Sequence, residues 1–254
     1  MTLDSMAAIV TGGASGLGEA VVREFATAGA KVSIFDTDTA NAERVADETG
    51  AAYFHVAVND EPSVQHGLEM AAGRHGEAQV LVNCAGIGAP PRRVAGKKGP
   101  YPLDVWQRIL DVNLTGTFNC VRLAAARMIS LDPLDTGERG VIINTSSING
   151  ADGPAGTVAY TASKAAIDGM TITMARDLAS YGIRVCTIAP GPFATPLVLK
   201  SPEESLRGMI GPMQFPKRLG EPSEFAALAR HCVENCMLNG TVIRIDAATR
   251  MDQR

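Results

Sequence analysis

The chain has 254 residues, 46% of them hydrophobic and 20% charged, the mixture of a folded globular protein and not of a disordered or fibrous one. Its 27 acidic and 23 basic residues give a net charge of -4, which excludes nucleic acid as the main partner, because phosphate binding needs a basic face. No apolar run approaches the ~20 residues that span a bilayer, and the polar start from Met1 to Met6 is too short for a signal peptide, so a cytoplasmic protein without membrane attachment is expected.

Short β-branched runs then alternate with helical periodicity. Residues 7–10 predict a strand, and 16–28 a helix with Val21, Val22 and Phe25 on one face. Strands follow at 31–35 and 52–58 around a helix at 40–49, then a helix at 61–74 and a strand at 79–82. Helices are predicted over 104–110 and 114–129, a strand over 141–145, a long helix over 160–180 and a strand over 183–188. A helix at 222–233 and a seventh strand at 241–245 complete the series. This alternation predicts one α/β domain over 1–254: a Rossmann-like, doubly wound, seven-stranded parallel sheet with helices on both faces. Two irregular segments, 86–102 and 191–220, follow strand ends on the side where such sheets bind ligands.

Cys84, Cys120, Cys186, Cys232 and Cys236 have no paired spacing and predict free, mostly buried thiols. Cys232 and Cys236 share a helix face beside His231, but the second ligand pair that zinc needs is missing, so no metal is expected.

Directly after the first strand stands Thr11-Gly12-Gly13-Ala14-Ser15-Gly16-Leu17-Gly18, opening into a helix. Gly12 permits the tight turn, Gly16 lets backbone approach a diphosphate, and Gly18 permits close helix–strand packing. The diphosphate would sit at the helix N-terminus, over Ser15, Gly16 and Leu17, where free N–H groups favour anions. At the end of the second strand, Asp36 is placed to accept both ribose hydroxyls of an adenosine and to repel a 2′-phosphate. No Arg or Lys stands at Ala14, Ser15 or Thr37, so the expected cofactor is NAD and not NADP.

Tyr160 and Lys164 are four residues apart in Tyr160-Thr161-Ala162-Ser163-Lys164 and share a helix face. A phenol titrates near 10 and is a poor base. A neighbouring ammonium and the positive ring of NAD⁺ favour its phenolate and bring it toward working pH.

With these segments on view, the chain resembles the short-chain dehydrogenase/reductase family nearly end to end. The 11–18 segment is similar to its cofactor loop, and Asn83-Cys84-Ala85-Gly86 to the segment that stabilises the sheet beside the adenine. Asn113 falls at the family's catalytic asparagine, and Ser147 stands thirteen residues before Tyr160, at the family's Ser–Tyr interval; Ser146 is one residue too far. Pro190-Gly191, with Phe193 and Thr195, resembles the segment that holds the nicotinamide carboxamide. The resemblance implies Tyr160 as general base or acid, Lys164 as its activator and a ligand of the nicotinamide ribose, and Ser147 as the group that orients the substrate oxygen. It implies that Asn113 holds a water linking Lys164 to solvent. Val58 replaces the family's aspartate at the adenine, leaving that contact to the backbone, Asn59 or Asp60. Asp246-Ala247-Ala248 replaces the usual Asp-Gly-Gly.

Within the family, residues 137–145, 188–196, 215–220 and 238–246, with Arg250 and Met251, are similar to the type II 3-hydroxyacyl-CoA dehydrogenases, some of which also act on steroid alcohols. The resemblance implies NAD-dependent oxidation of a secondary alcohol carried on an acyl-CoA. It leaves open a hydroxysteroid or other secondary-alcohol dehydrogenase, a 3-ketoacyl reductase, or an inactive NAD-binding scaffold. Basic residues Arg92, Arg93, Lys97 and Lys98 form a loop suited to CoA phosphates or simply to solvent. A substrate lid is expected at about 193–216, carrying Leu197, Val198, Leu199, Met209, Ile210 and Met213. The resemblance further implies a homotetramer, paired through the helices that carry 123–126 and 165–170.

Overall fold

The computed structural model describes residues 1–97 and 99–250; Lys98 and Met251 lie outside the described residues, as does the side chain of Leu197. Seven parallel strands form the central sheet: β1 (Ala7–Thr11), β2 (Lys31–Asp36), β3 (Ala52–His55), β4 (Val80–Asn83), β7 (Gly140–Thr145), β8 (Ile183–Pro190) and β9 (Thr241–Ile245). A separate hairpin pairs β5 (Ala95–Gly96) with β6 (Gly99–Pro100). The order β3-β2-β1-β4-β7-β8-β9 reverses between β1 and β4, which opens a crevice at their C-terminal ends. Every residue of β1, β4, β7 and β8 is buried, as expected of parallel strands covered on both faces.

Helices α1 (Gly16–Thr27) and α2 (Thr39–Thr49) cover one face, together with α10 (Pro222–Glu234). Their core joins Val10, Val22, Phe25, Ile34, Phe225 and Val233. The other face packs α3 (Glu61–His75), α5 (Thr117–Met128) and α7 (Val158–Ala179) around Ile9, Phe35, Leu81, Val121, Ile142 and Val185. Local chemistry sets the helix ends. Asp38 accepts the Asn41 N–H at 3.2 Å to start α2, and left-handed Gly50 ends it at φ 75°. Asp60 caps α3 by accepting the Ser63 N–H at 3.2 Å.

One row of polar side chains crosses this apolar sheet. Thr11, Asn83, Asn144 and Thr187 are register partners on β1, β4, β7 and β8, all buried. Thr11 Oγ1 donates to Asn83 Oδ1 at 3.4 Å, and Asn83 Nδ2 donates to Asn144 Oδ1 at 2.9 Å. The hydroxyls of Thr187 and Thr171 lie 2.6 Å apart.

Four local features depart from the sequence reading. β3 stops at His55, short of residue 58, because Asn119 Nδ2 takes the Val58 carbonyl at 3.0 Å and draws the chain toward α5. The break expected between residues 110 and 114 is closed: α4 (Leu103–Leu110) runs through a π-helical segment, Asp111–Gly116, into α5. Irregular segment 191–220 contains α8 (Pro196–Leu199) and α9 (Glu203–Ile210). A short α6 (Asn149–Asp152) precedes α7. Among the described residues no helix is long and apolar enough to cross a membrane, and no His, Cys, Asp or Glu cluster converges as a metal site.

Candidate active site

The glycine loop after β1 borders a cavity of about 480 Å³ at the crevice. Gly12 is left-handed (φ 67°), and a Cβ there would lie 2.7 Å from the Ala85 amide nitrogen. A Cβ on Gly18 would lie 2.1 Å from the Gly12 carbonyl oxygen. Both positions therefore require glycine, one for the turn and one for close packing. The bare Gly16 faces Thr195 across the cavity, with only 3.3 Å between its missing Cβ and the threonine Cγ2.

Gly12, Ser15, Gly16, Leu17, Gly18, Asp36, Val58, Asn59, Cys84, Ala85, Gly86 and Thr195 all line this cavity. Thr37, weighed above for the charge it lacks, lines it too, as do Phe35, Val56, Ala57, Ile87 and Val112, which escaped the sequence reading; a window of two residues around each strand end would have found most of these. Asp36 does more than point at the cavity. Its Oδ2 accepts the Ala14 N–H and its Oδ1 accepts the Asp38 N–H, both at 3.0 Å, so the carboxylate ties the glycine loop to the end of β2. At the far end, the Val58 carbonyl is committed to Asn119 and Asp60 to its helix cap, leaving exposed Asn59 as the side chain free for an adenine.

The remaining expected residues sit beside the cavity or behind it. Asn83 belongs to the buried polar row. Pro190 accepts the Ile148 N–H at 3.1 Å, and the Gly191 N–H bonds the Ile245 carbonyl at 2.9 Å, which fixes this turn against β9. The Phe193 ring is buried edge-on against Phe225, at 6.4 Å between centroids, and is not among the residues lining the cavity.

Tyr160, Lys164, Ser147 and Asn113 are brought together. Tyr160 and Lys164 lie one turn apart on α7, and Ser147 follows the end of β7. The Tyr160 phenol lies beside the Ser147 hydroxyl, and Asp168 lies beside that of Ser146. Lys164 is buried, donates from Nζ to the Thr145 carbonyl at 2.8 Å, and lies 5.7 Å from the Tyr160 ring centre. A Cβ on Gly86 would sit 3.7 Å from that ammonium, so the glycine joins the cluster to the cavity wall. Asn113, fully buried in the π segment, exchanges two hydrogen bonds with the Ile87 backbone, at 2.7 and 2.9 Å.

Burial dominates the electrostatics. It pushes the Tyr160 phenol up, with the Ser147 hydroxyl pulling it back, and lowers Lys164 from 10.5 to about 8. The activation of Tyr160 by Lys164 expected from their spacing is thus not expressed in the protein alone: the ammonium is occupied by Thr145. Cys84, beside Lys164, is pushed up to about 11 by burial, offset by its bond with Thr145 and by Lys164, and is a neutral thiol.

The cavity at the sheet crevice, with Tyr160, Ser147 and Lys164 beside it, belongs to an oxidoreductase that uses a nicotinamide cofactor. Residues 6–205 match the short chain dehydrogenase family model, and the chain belongs to that family. It is 44% identical over 253 residues to 3-hydroxyacyl-CoA dehydrogenase type-2 from Homo sapiens, covering 98% of this chain and 97% of that one. The crystal structure of 3-hydroxyacyl-CoA dehydrogenase type-2 from Mycobacterium avium superposes with a TM-score of 0.93 at 39% identity, covering 98% of each chain. That of 3-ketoacyl-(acyl-carrier-protein) reductase from Brucella melitensis, complexed with NADH, gives 0.86 at 30% identity, over 97% of this chain and 98% of that one.

Proposed function

We propose that this protein is an NAD-dependent 3-hydroxyacyl-CoA dehydrogenase. The observation that carries the reading is the part-exposed Tyr160 beside buried Ser147, with Lys164 one helical turn further on, against the Gly86 wall of the dinucleotide cavity. The glycine cradle fits a diphosphate, since side chains at Gly12 or Gly18 would fill the space that the loop needs. When bound, the nicotinamide supplies the hydride acceptor for oxidation of an alcohol. Tyr160 takes the alcohol proton, and Ser147 holds the substrate oxygen and stabilises charge on it. Lys164 would hold the nicotinamide ribose, and its charge favours the Tyr160 phenolate. Asn113 holds the Ile87 backbone in place and offers a site for a water between Lys164 and solvent.

The preference for NAD rests on Asp36, whose carboxylate would repel a 2′-phosphate that no neighbouring cation at Ala14, Ser15 or Thr37 neutralises. The acyl-CoA assignment is supported by the two similar dehydrogenases and by the β5–β6 hairpin. Arg92, Arg93 and Lys97 line a cavity of about 490 Å³ there, and the Arg92 N–H donates to the Gly156 carbonyl at 2.8 Å, four residues before Tyr160. Segment 193–216 is read as a lid over the acyl chain. Exposed Phe118 on α5 and Ile172 on α7 support pairing of these helices in a homotetramer. Side-by-side assay of NAD and NADP reduction with 3-hydroxyacyl-CoAs, hydroxysteroids and simple secondary alcohols tests the reading. Preferential NADH formation from a hydroxyacyl-CoA is expected; turnover confined to the reduction of 3-ketoacyl-(acyl-carrier-protein) substrates would replace it with the reductase reading that the Brucella relative suggests.

A further inference from the structure

Asp168 stands one helical turn beyond Lys164 on α7, on the side away from Tyr160, so that Tyr160, Lys164 and Asp168 succeed one another at four-residue intervals. Burial pushes its carboxyl up, and the nearby Ser146 hydroxyl, Lys164 and Arg244 pull it back; the Ser146 oxygen in turn accepts the backbone N–H of Ser147. The carboxylate also packs on α6, where its Oδ2 lies 3.1 Å from the place a Cβ would take on Gly150. Its other oxygen, Oδ1, is buried without a hydrogen-bond partner. A buried carboxylate oxygen left unpaired is costly, and such a group persists where its charge has a use.

We propose, building on the assignment of Tyr160, Ser147 and Lys164 above, that Asp168 is a positioning residue for this site. It fixes Ser147 through Ser146 and supplies the negative charge that faces Lys164 from behind. The groups around the pair are few. Lys164 faces Cys84 from the end of β4, Tyr160 and Asp168 from α7, and the Thr145 carbonyl from β7. Asp168 faces Lys164, Ser146 at the end of β7, and Arg244 on β9. Arg244 is itself committed to Asp152, at 2.9 Å, and to Asp246, at 2.8 Å, so its charge is already balanced. Cys84 stays protonated while Lys164 titrates, which leaves Asp168 as the anion that supports the ammonium.

Two variants separate the charge from the contact. Asp168→Asn keeps an acceptor for Ser146 and removes the charge, whereas Asp168→Leu removes both. The Lys164 titration is read in the protein alone from ¹³Cε-lysine NMR, with the signal assigned by its loss in Lys164→Met. In Asp168→Asn the midpoint is expected to fall by about one unit, and the alkaline limb of kcat/KM to move down with it. Asp168→Leu should show the same shift plus a further loss of kcat, roughly tenfold, with dinucleotide affinity unchanged, because Ser147 is no longer held. A Lys164 midpoint in Asp168→Asn equal to the parent's overturns the charge role, whatever the variant's melting temperature. Equal kcat in the Asn and Leu variants overturns the anchoring of Ser147. Tyr160→Phe is the companion control: if it retains full activity the site assignment itself has failed, and if it is inactive the Asp168 results stand alone.

Discussion

The Lys164 ammonium donates to the main-chain carbonyl of Thr145 at 2.8 Å, so the cation proposed above to act on Tyr160 is held on the strand that ends beside it. Burial lowers this lysine from 10.5 to about 8. Between those values the unfolded chain binds a proton that the folded one does not, so this residue's contribution to stability rises as pH climbs through the window. The cost of the buried charge at neutral pH is about 3 kcal/mol as an upper bound. Lys164→Met should abolish turnover while unfolding in urea at neutral pH no more easily than the parent. The parent-minus-variant difference should shrink toward the Met variant's disadvantage above pH 8. Cys84, whose thiol is raised to about 11, acts in the opposite sense, and its contribution is removed by making the comparison in a Cys84→Ala background. A parent-minus-variant difference flat across the window would contradict the burial argument.

Asp36 carries two duties, because its carboxylate accepts the Ala14 and Asp38 amides as well as facing the cavity. Asp36→Ala combined with Thr37→Arg is expected to shift preference toward NADP. The loosened glycine loop should also raise the KM for NAD roughly tenfold or more. Steady-state kinetics with both dinucleotides decides it; an unchanged NAD/NADP ratio would refute the ribose role.

Gly18 tolerates no side chain, since its Cβ would lie 2.1 Å from the Gly12 carbonyl oxygen. Gly18→Ala must push α1 away from β1, at a cost of about 3 kcal/mol. Loss of dinucleotide binding by calorimetry, with a lowered melting temperature, is the expected result. Parent-like affinity would mean that the cradle is not where the diphosphate lies.

Ala247 and Ala248 sit at φ 50° and 56°, left-handed angles that an L side chain resists, where the family pattern has glycines. The turn is retained because Gln214 donates its N–H to the Ala247 carbonyl at 3.0 Å and the Ala248 N–H bonds Asp246 at 3.1 Å. Ala247→Gly and Ala248→Gly are each expected to stabilise by roughly 0.5–1 kcal/mol after the extra chain entropy of glycine is subtracted. A urea midpoint that falls in either variant would show that the strain is relieved elsewhere.

Much of this architecture was legible because it rests on period. All seven strands of the sheet announced themselves as short β-branched runs, and the glycine loop, Asp36, Tyr160 and Lys164 as fixed spacings around them. What stayed hidden depends on contacts between distant segments. The end of β3 is set by Asn119, which lies 61 positions beyond Val58. The π segment that buries Asn113 follows from Gly116 fitting under Val58, where a Cβ would be 2.6 Å from a methyl, and from Thr117 Oγ1 donating to the Asn113 carbonyl at 2.7 Å. The packing of the Phe193 ring on Phe225 of α10 likewise joins segments far apart in sequence. Asp168 was within reach of the same four-residue interval that singled out Lys164.

The row of Thr11, Asn83, Asn144 and Thr187 has a consequence for how the sheet assembles. Parallel strands made of interchangeable aliphatic residues could slide past one another by two positions with little penalty, since the same faces would still meet the helices. Here such a slip would strand amides and hydroxyls among Ile9, Leu81, Ile142 and Val185, and each orphaned group costs about 1–3 kcal/mol. The four polar side chains therefore act as a vernier. By fixing where β1, β4, β7 and β8 stop relative to one another, they set the mutual offset of the loops that those strands launch, to within one residue.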